Sequence, residues 1–338
     1  MRYTNHPRTG ASVHNMQSLL LQTLAAVLLL TRPTAAQNGT DNPGTKRGIS
    51  WIGTKSSATD NSIFASGKTP ITWYKSWGAG PIQDQSFTKL DFAPMIHSLE
   101  NLDQDIRVIN GLRYENVLTF NEPDGATSGG GTNIEPEDAA EAWADIVKLR
   151  EGKNGKKISL PATTGSPNGL EWLQKFNESC WDKYEDTGCE FDFVAAHWYG
   201  AFEGLASWLG TLHETYPDKD LWVTEMALPQ PATKEEVQGM MNQSLAFLDA
   251  TDWVARYAWF GAFREDEAND WTGDAVALLD DDGDLTELGA LYMGGEARGF
   301  EAGDGSGGGS GGSQGSAVSV RACWWSTVLV SVVFVAMF

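Results

Sequence analysis

Glu122 and Glu225 each stand where an apolar, strand-like run gives way to a loop. The first run, Val117-Leu118-Thr119-Phe120, leads into Asn121-Glu122-Pro123-Asp124, and the second, Leu221-Trp222-Val223-Thr224, leads into Glu225-Met226. A carboxylate at the end of a buried strand is expensive to desolvate unless it has a partner or a task. A basic side chain at a barrel rim would account for either glutamate alone. Two of them, in a chain that alternates strand-like and helix-like segments, suggest an acid/base and a nucleophile working on a glycosidic bond.

Eight runs must position them: Gly48 to Ile52, Ile71 to Trp77, Leu90 to Ile96, Val117 to Phe120, Lys157 to Leu160, Phe191 to Trp198, Leu221 to Thr224 and Ala255 to Phe260. Helical patterns lie between several of them. Glu135 to Leu149 opens with Pro136 and acidic residues and carries Ala139, Ala142, Trp143, Ile146 and Val147 on one face. Leu170 to Phe176, Phe202 to His213 and Glu235 to Leu248 read similarly, and Thr286 to Tyr292 closes the series. Strands followed by helices imply parallel pairing with both sheet faces covered. Eight such units close into a single (β/α)8 TIM barrel of the α/β class. An open doubly wound sheet is the alternative, and the lack of a glycine-rich dinucleotide fingerprint after the first run counts against it.

In such a barrel the site lies at the C-terminal ends of the strands. Glu122 and Glu225 fall there after the fourth and seventh runs, His197-Trp198-Tyr199 after the sixth, and Trp77 after the second. His197 and Tyr199, two residues apart on a strand, face the same way, and a hydrogen bond from either would hold Glu225 in position. The chain carries 14 tryptophans, and flat rings stack on the apolar faces of pyranose sugars. Trp51, Tyr74, Trp77 and Trp259 are read together as such platforms, with core packing the competing role for each.

The formal charge of −21 argues against nucleic acid, since neutralising phosphates requires a basic face and none is visible in the sequence. Leu19 to Leu21 and Ala25 to Leu30 form an apolar stretch, and Thr34-Ala35-Ala36 offers small residues before Gln37. Residues 1–36 thus read as a secretory signal peptide, with Met16 as good a start as Met1. Residues 37–45 form a polar, disordered lead-in. A glycine-serine run before the apolar tail Trp324 to Phe338 reads as a glycosylphosphatidylinositol signal, with attachment in Gly311-Gly312-Ser313 and Gly311 the first choice. That makes 301–317 a linker and 318–338 a removed tail. A spanning helix is the alternative, but spanning takes about 20 apolar residues and this tail is shorter. The remaining span, 46–300, suits a barrel of about 250 residues. Of three cysteines, Cys323 lies in the tail, leaving Cys180 and Cys189 to form one disulfide on an oxidising route. Closing that loop stabilises by on the order of 2–3 kcal/mol. Asn38, Asn177 and Asn242 each begin an Asn-x-Ser/Thr glycosylation sequon.

Glutamates ending the fourth and seventh strands, the first preceded by Asn121, resemble the clan A barrel glycosidases. Within that clan, Arg47 to Trp51, Trp73 to Gly78, Leu118 to Asp124, Ala196 to Tyr199 and Trp222 to Glu225 resemble glycoside hydrolase family 128. This is the fungal family that includes the alkali-sensitive linkage proteins of the cell wall. The resemblance runs from about Lys46 to about Gly295 and implies endo-hydrolysis of β-1,3-glucan with retention. It makes Glu122 the acid/base and Glu225 the nucleophile. One departure stands out: an aromatic residue is expected soon after Phe92-Ala93-Pro94-Met95, and here Ile96-His97-Ser98 follows.

Retention requires the two carboxyl groups to stand about 5 Å apart, with Glu225 ionised and Glu122 protonated. Close like charges raise one of the two pKa values and so divide the roles. Once the glycosyl-enzyme has formed, Glu122 turns base towards water, while Asn121 hydrogen-bonds the sugar 2-hydroxyl. Other signals fail. Gly67-Lys68-Thr69 would need glycine in place of Ser62 to form a phosphate loop. The acidic run Asp280 to Asp284 would put Leu278 and Gly289 at the ends of a calcium loop. No cofactor and no metal are expected, and the partner is β-1,3-glucan or a related wall polysaccharide. The protein is expected to be monomeric and to meet membrane only through its lipid anchor. Two further readings stay open: a glucan-binding or wall-organising protein with little turnover, and a glycosidase for another wall polymer.

Overall fold

The apolar runs form eight strands: β1 Arg47–Trp51, β2 Trp73–Lys75, β3 Asp91–Ala93, β4 Asn116–Val117, β5 Lys157–Leu160, β6 Phe193–Tyr199, β7 Leu221–Ala227 and β8 Val254–Ala262. This is a computed structural model that describes residues 45–305 apart from Lys153, all within one compact unit. The expected signal peptide, Asn38, Gly311, Cys323 and the terminal tail lie outside the described residues. The strands pair in the order β3-β2-β1-β8-β7-β6-β5-β4, with every strand pairing parallel. The β3–β4 seam is closed by main-chain bonds beyond both strands. Leu118 N–H donates to Pro94 O (2.8 Å), Ile96 N–H to Leu118 O (2.9 Å) and Asn121 N–H to His97 O (3.1 Å). The sheet is therefore a barrel, and the open alternative falls.

Helices cover its outside: α1 Ser57–Phe64, α2 Leu102–Gly111, α3 Pro136–Ile146, α4 Lys148–Glu151, α5 Pro167–Lys183, α6 Phe202–Thr215, α7 Lys234–Ala250 and α8 Glu287–Tyr292. Side chains cap the starts of α5, α7 and α8. Thr233 and Glu236 form a reciprocal capping box on α7, and Pro136 and Pro167 stand in the first turns of α3 and α5. Cys180 and Cys189 are joined as a disulfide between the end of α5 and the loop into β6. Asn177 on α5 and Asn242 on α7 are both exposed.

Alternation along the strands divides the core in two. Trp73, Ala93, Met95, Leu118, Ala162, Phe193, Ala195, Trp222 and Ala258 fill the barrel, while Ile49, Tyr74, Val194, Val223, Tyr257 and Trp259 belong to the layer shared with the helices. Gly48 is required by this packing, because an added Cβ would come within 2.2 Å of the Trp73 ring. Two expectations are corrected here. Tyr74 is fully buried against Phe87 and Phe92 (ring centroids 4.9 Å each), and Trp259 is fully buried with its Nε1–H donating to Val276 O (2.9 Å). Both point away from the barrel axis and serve as core, not as sugar platforms.

Candidate active site

Polar side chains replace apolar ones in the barrel's last layer, at the C-terminal ends of β2, β4, β6 and β7. Lys75, His197 and Glu225 are all buried there, with Glu122 at the rim. The Lys75 ammonium is hydrogen-bonded to Glu225 Oε1, and Tyr199 O–H donates to Glu225 Oε2 at 2.7 Å. His197 stands between the glutamates: Nδ1 is 2.8 Å from Glu122 Oε1 and Nε2 is 3.3 Å from Glu225 Oε1. The second contact lacks hydrogen-bond geometry and acts through charge alone. One oxygen from each glutamate and one His197 nitrogen lie within 4.8 Å of one another.

Local irregularities aim these groups. The β6–β7 register shifts between Ala196 and His197, which brings His197 opposite Glu225. Glu122 adopts φ +41°, a left-handed conformation that costs a non-glycine residue of order 1–3 kcal/mol. Hydrogen bonds on both sides hold it there. Its N–H donates to Ala162 O (2.8 Å), and its carbonyl accepts from Gly125 (2.9 Å) and Thr132 (3.1 Å). Asp124 accepts from Thr164 N–H at 3.0 Å, tying the turn to the loop after β5.

Burial opposes ionisation of Glu225. The charges of His197 and Lys75, with hydrogen bonds from Lys75 and Tyr199, nevertheless draw its pKa below the usual glutamate value. Burial also lowers the pKa of Lys75, against the pull of Glu225, and raises that of Tyr199 well above the usual phenol. Glu122, His197 and Glu225 have donor types that a cation would take, but such a cation would compete with the Lys75 ammonium for Glu225 Oε1.

A cleft of about 730 Å³ opens beside this centre, lined by Trp77, His97, Glu100, Thr132 and Asp138 among others. Trp77 carries the Lys75 ammonium 3.9 Å from its ring centroid. From Trp77 an aromatic wall continues through Phe260 (6.0 Å) and Tyr199 (5.6 Å) to Trp271 (4.4 Å), each distance taken from the previous ring. Asn121 Nδ2 donates to Gly130 O (3.1 Å), leaving Oδ1 buried without a partner next to the acidic centre.

The structure thus gathers Glu122, Glu225, Asn121, His197, Tyr199 and Trp77 at one mouth. Trp51 is half-buried with its Nε1–H on Asn61 Oδ1 (2.9 Å), a bond that serves α1, and it is not among the residues lining the cleft. After Met95, the segment that follows β3 lines the cleft with His97, Ser98, Leu99 and Glu100, and none of these is an aromatic carbocycle. Sequence reasoning missed Lys75 and Trp271. Strand parity with Trp77 was the available signal for Lys75. Trp271 had a weaker one, as an isolated ring in a polar turn where Asn269 Oδ1 accepts from Trp271 N–H (2.9 Å) and Thr272 N–H (2.8 Å).

A sequence profile described as the glycosyl hydrolase catalytic core matches residues 48–292. The chain belongs to that family. It is a glycoside hydrolase, and its structural relatives are members of family 128. A family 128 (subgroup VI) exo-β-1,3-glucanase from Aureobasidium namibiae superposes with a TM-score of 0.62 at 28% identity, covering 75% of this chain and 97% of that one. A subgroup II endo-β-1,3-glucanase from Pseudomonas viridiflava gives 0.61 at 25% identity, covering 74% and 97%. A subgroup III curdlan-specific exo-β-1,3-glucanase from Blastomyces gilchristii, in complex with glucose, gives 0.57 at 25% identity, covering 75% and 99%. Alkali-sensitive linkage protein 1 of Schizosaccharomyces pombe is 30% identical over 259 residues, which cover 73% of this chain and 44% of that protein. The chain therefore matches less than half the length of that relative.

Proposed function

We propose that this glycoside hydrolase is a retaining endo-β-1,3-glucanase acting on wall glucan at the surface of the cell that displays it. The observation that carries the proposal is the approach of the two glutamates: their oxygens lie within 4.8 Å, close to the separation of about 5 Å that retention needs and short of the 6.5–9.5 Å that leaves room for an inverting water. Glu225, held anionic by Lys75 and Tyr199, attacks the anomeric carbon. Glu122 gives its proton to the leaving oxygen, and its bond to His197 fixes the carboxyl during that transfer. Charge on Glu225 then disappears into the glycosyl ester, and Glu122 takes a proton from the incoming water. Asn121 Oδ1, buried and unpartnered, accepts from the sugar 2-hydroxyl.

The endo reading is supported by the length of the aromatic wall, from Trp77 at the cleft to exposed Trp271, since internal cleavage needs chain held well beyond the scissile bond. The glucan assignment is supported by the β-1,3-glucanase activity named for the family 128 relatives. Export and lipid anchoring are supported by the apolar segments at the two chain ends. Proton NMR of laminari-oligosaccharide hydrolysis provides the test. Retention makes the β-anomer the first product, and internal cleavage gives mixed oligosaccharides from the outset. Initial α-anomer would overturn retention, and glucose as sole early product would overturn the endo assignment.

A further inference from the structure

At the end of the barrel opposite the catalytic centre, the last turns of α5 and the loop into β6 border a cavity of about 270 Å³. Asn177, Trp181, Thr187, Gly188 and Lys219 are among its lining residues. Among the described residues, only Val108, Trp181 and Trp271 are large apolar side chains left exposed, and Trp271 belongs to the active-site mouth. Trp181 is 49% exposed, yet its ring is held. Gly188, at φ +60°, lies against it so closely that an added Cβ would stand 3.1 Å from Cε2 and 3.4 Å from Cδ2 and Cζ2, over the bond the two rings share. The Cys180–Cys189 disulfide joins the residues next to Trp181 and Gly188, clamping the loop onto that face of the indole. The half of the side chain left in solvent borders the cavity.

Asn177, the exposed first residue of the sequon Asn177-Glu178-Ser179, precedes Trp181 by four residues and so shares its side of the helix. Helical side chains lean towards the N-terminus, which carries the indole over the turn that holds Asn177. Asn242, the other described sequon asparagine, has Ala246 at the equivalent place. We infer that Asn177 carries an N-linked glycan whose first N-acetylglucosamine stacks on the exposed part of the Trp181 ring. The chemistry is that of the secretory route: Asn177 Nδ2 forms a bond to the sugar C1 and loses a proton, while the C1–oxygen bond of a lipid pyrophosphate donor breaks and the lipid pyrophosphate leaves. The inference rests on the proposed export of the chain.

The full chain, made in a glycosylating fungal host, tests this through tryptic glycopeptide mass spectrometry and thermal melts. A glycopeptide at Asn177 is expected. Ser179→Ala, which removes the sequon, should lower the melting temperature by about 1–4 °C in the presence of Trp181. In a Trp181→Ala background the same change should cost nothing further. Trimming to a single N-acetylglucosamine should preserve the wild-type value. An unoccupied Asn177 in exported, disulfide-bonded protein would overturn this inference alone, as would a Ser179→Ala effect that persists without Trp181. Laminari-oligosaccharide binding at Trp181 in glycosylated wild-type protein would also overturn it, by showing the ring open to free glucan. Protein retained inside the cell with free Cys180 and Cys189 thiols would overturn both the export reading and this one.

Discussion

The two ends of the barrel interior each hold a cation, a carboxylate and tryptophan, and they put the set to different uses. At the N-terminal end the Arg256 guanidinium lies 4.3 Å from the Trp222 ring centroid and 5.6 Å from that of Trp73, with Asp91 Oδ2 2.7 Å away. Arg256 and Asp91 keep 24% and 39% of their side-chain surface in solvent. A planar, weakly hydrated guanidinium stacks well between rings, and water relieves the charge, so the set serves as a plug. At the C-terminal end Lys75 and Glu225 retain 0% and 5%. Two compact charges without water must satisfy each other, and the removal of either leaves the other stranded. Solvent access, more than residue type, separates a structural ion pair from a reactive one.

Substitutions at the two ends should separate accordingly. Glu225→Gln should lower kcat by at least about 10³-fold. It also leaves Lys75 buried without a counter-charge, a loss of about 3–5 kcal/mol for a broken buried pair. Because the folded pKa of Lys75 already lies below its ordinary 10.5, the folded variant binds fewer protons than the unfolded chain between those values. Its stability should therefore climb as pH rises towards 10.5, and a flat profile of melting temperature over that range would contradict the stranded charge. Lys75→Met should reduce kcat/KM by about 100-fold, the scale of losing one preorganised donor. The depressed Glu225 pKa places the wild-type acid limb of kcat/KM below pH 4.5, and Lys75→Met should move that limb upward. An unmoved limb would mean that Lys75 does not hold the charge. Trp271→Ala should weaken oligosaccharide binding by roughly 1–3 kcal/mol in calorimetric titrations while leaving the melt unchanged. Arg256→Met should alter neither kcat nor the pH profile and should lower stability by about 1 kcal/mol. Activity loss there on the scale of Lys75→Met would collapse the distinction between the two ends.

Strand and helix alternation made the barrel legible, because each run is apolar enough to need cover on both faces. Helix α1 was not legible. Its buried face includes Asp60, which binds Arg264 in two places (2.7 and 2.8 Å), and Asn61, so the apolar period that signals a helix is missing. The glutamates and the His197–Tyr199 pair could be read from the sequence, since their positions depend only on strand ends. Tyr74 and Lys75 show where the reading broke. Trp73, Lys75 and Trp77 share one side of an extended chain and Tyr74 takes the other, so choosing Trp77 for the mouth already placed Tyr74 in the outer core. Aromatic character points to the cleft, but strand parity decides the side. Trp259 failed in the same way beside inward-facing Ala258. The link from His197 to Glu122 could not be read at all, because it depends on a register shift and on a left-handed residue that no local pattern announces.

The order of the strands also bears on when the enzyme can first act. Lys75 reaches Glu225 across 150 residues of sequence, and the shorter way round the barrel from β2 to β7 runs through β1 and β8, the first and last strands made. A nascent chain that has synthesised both glutamates still lacks the stave that brings the lysine to its partner. Hydrolytic competence therefore arrives with completion of the barrel, and an unfinished chain carries its catalytic groups unassembled.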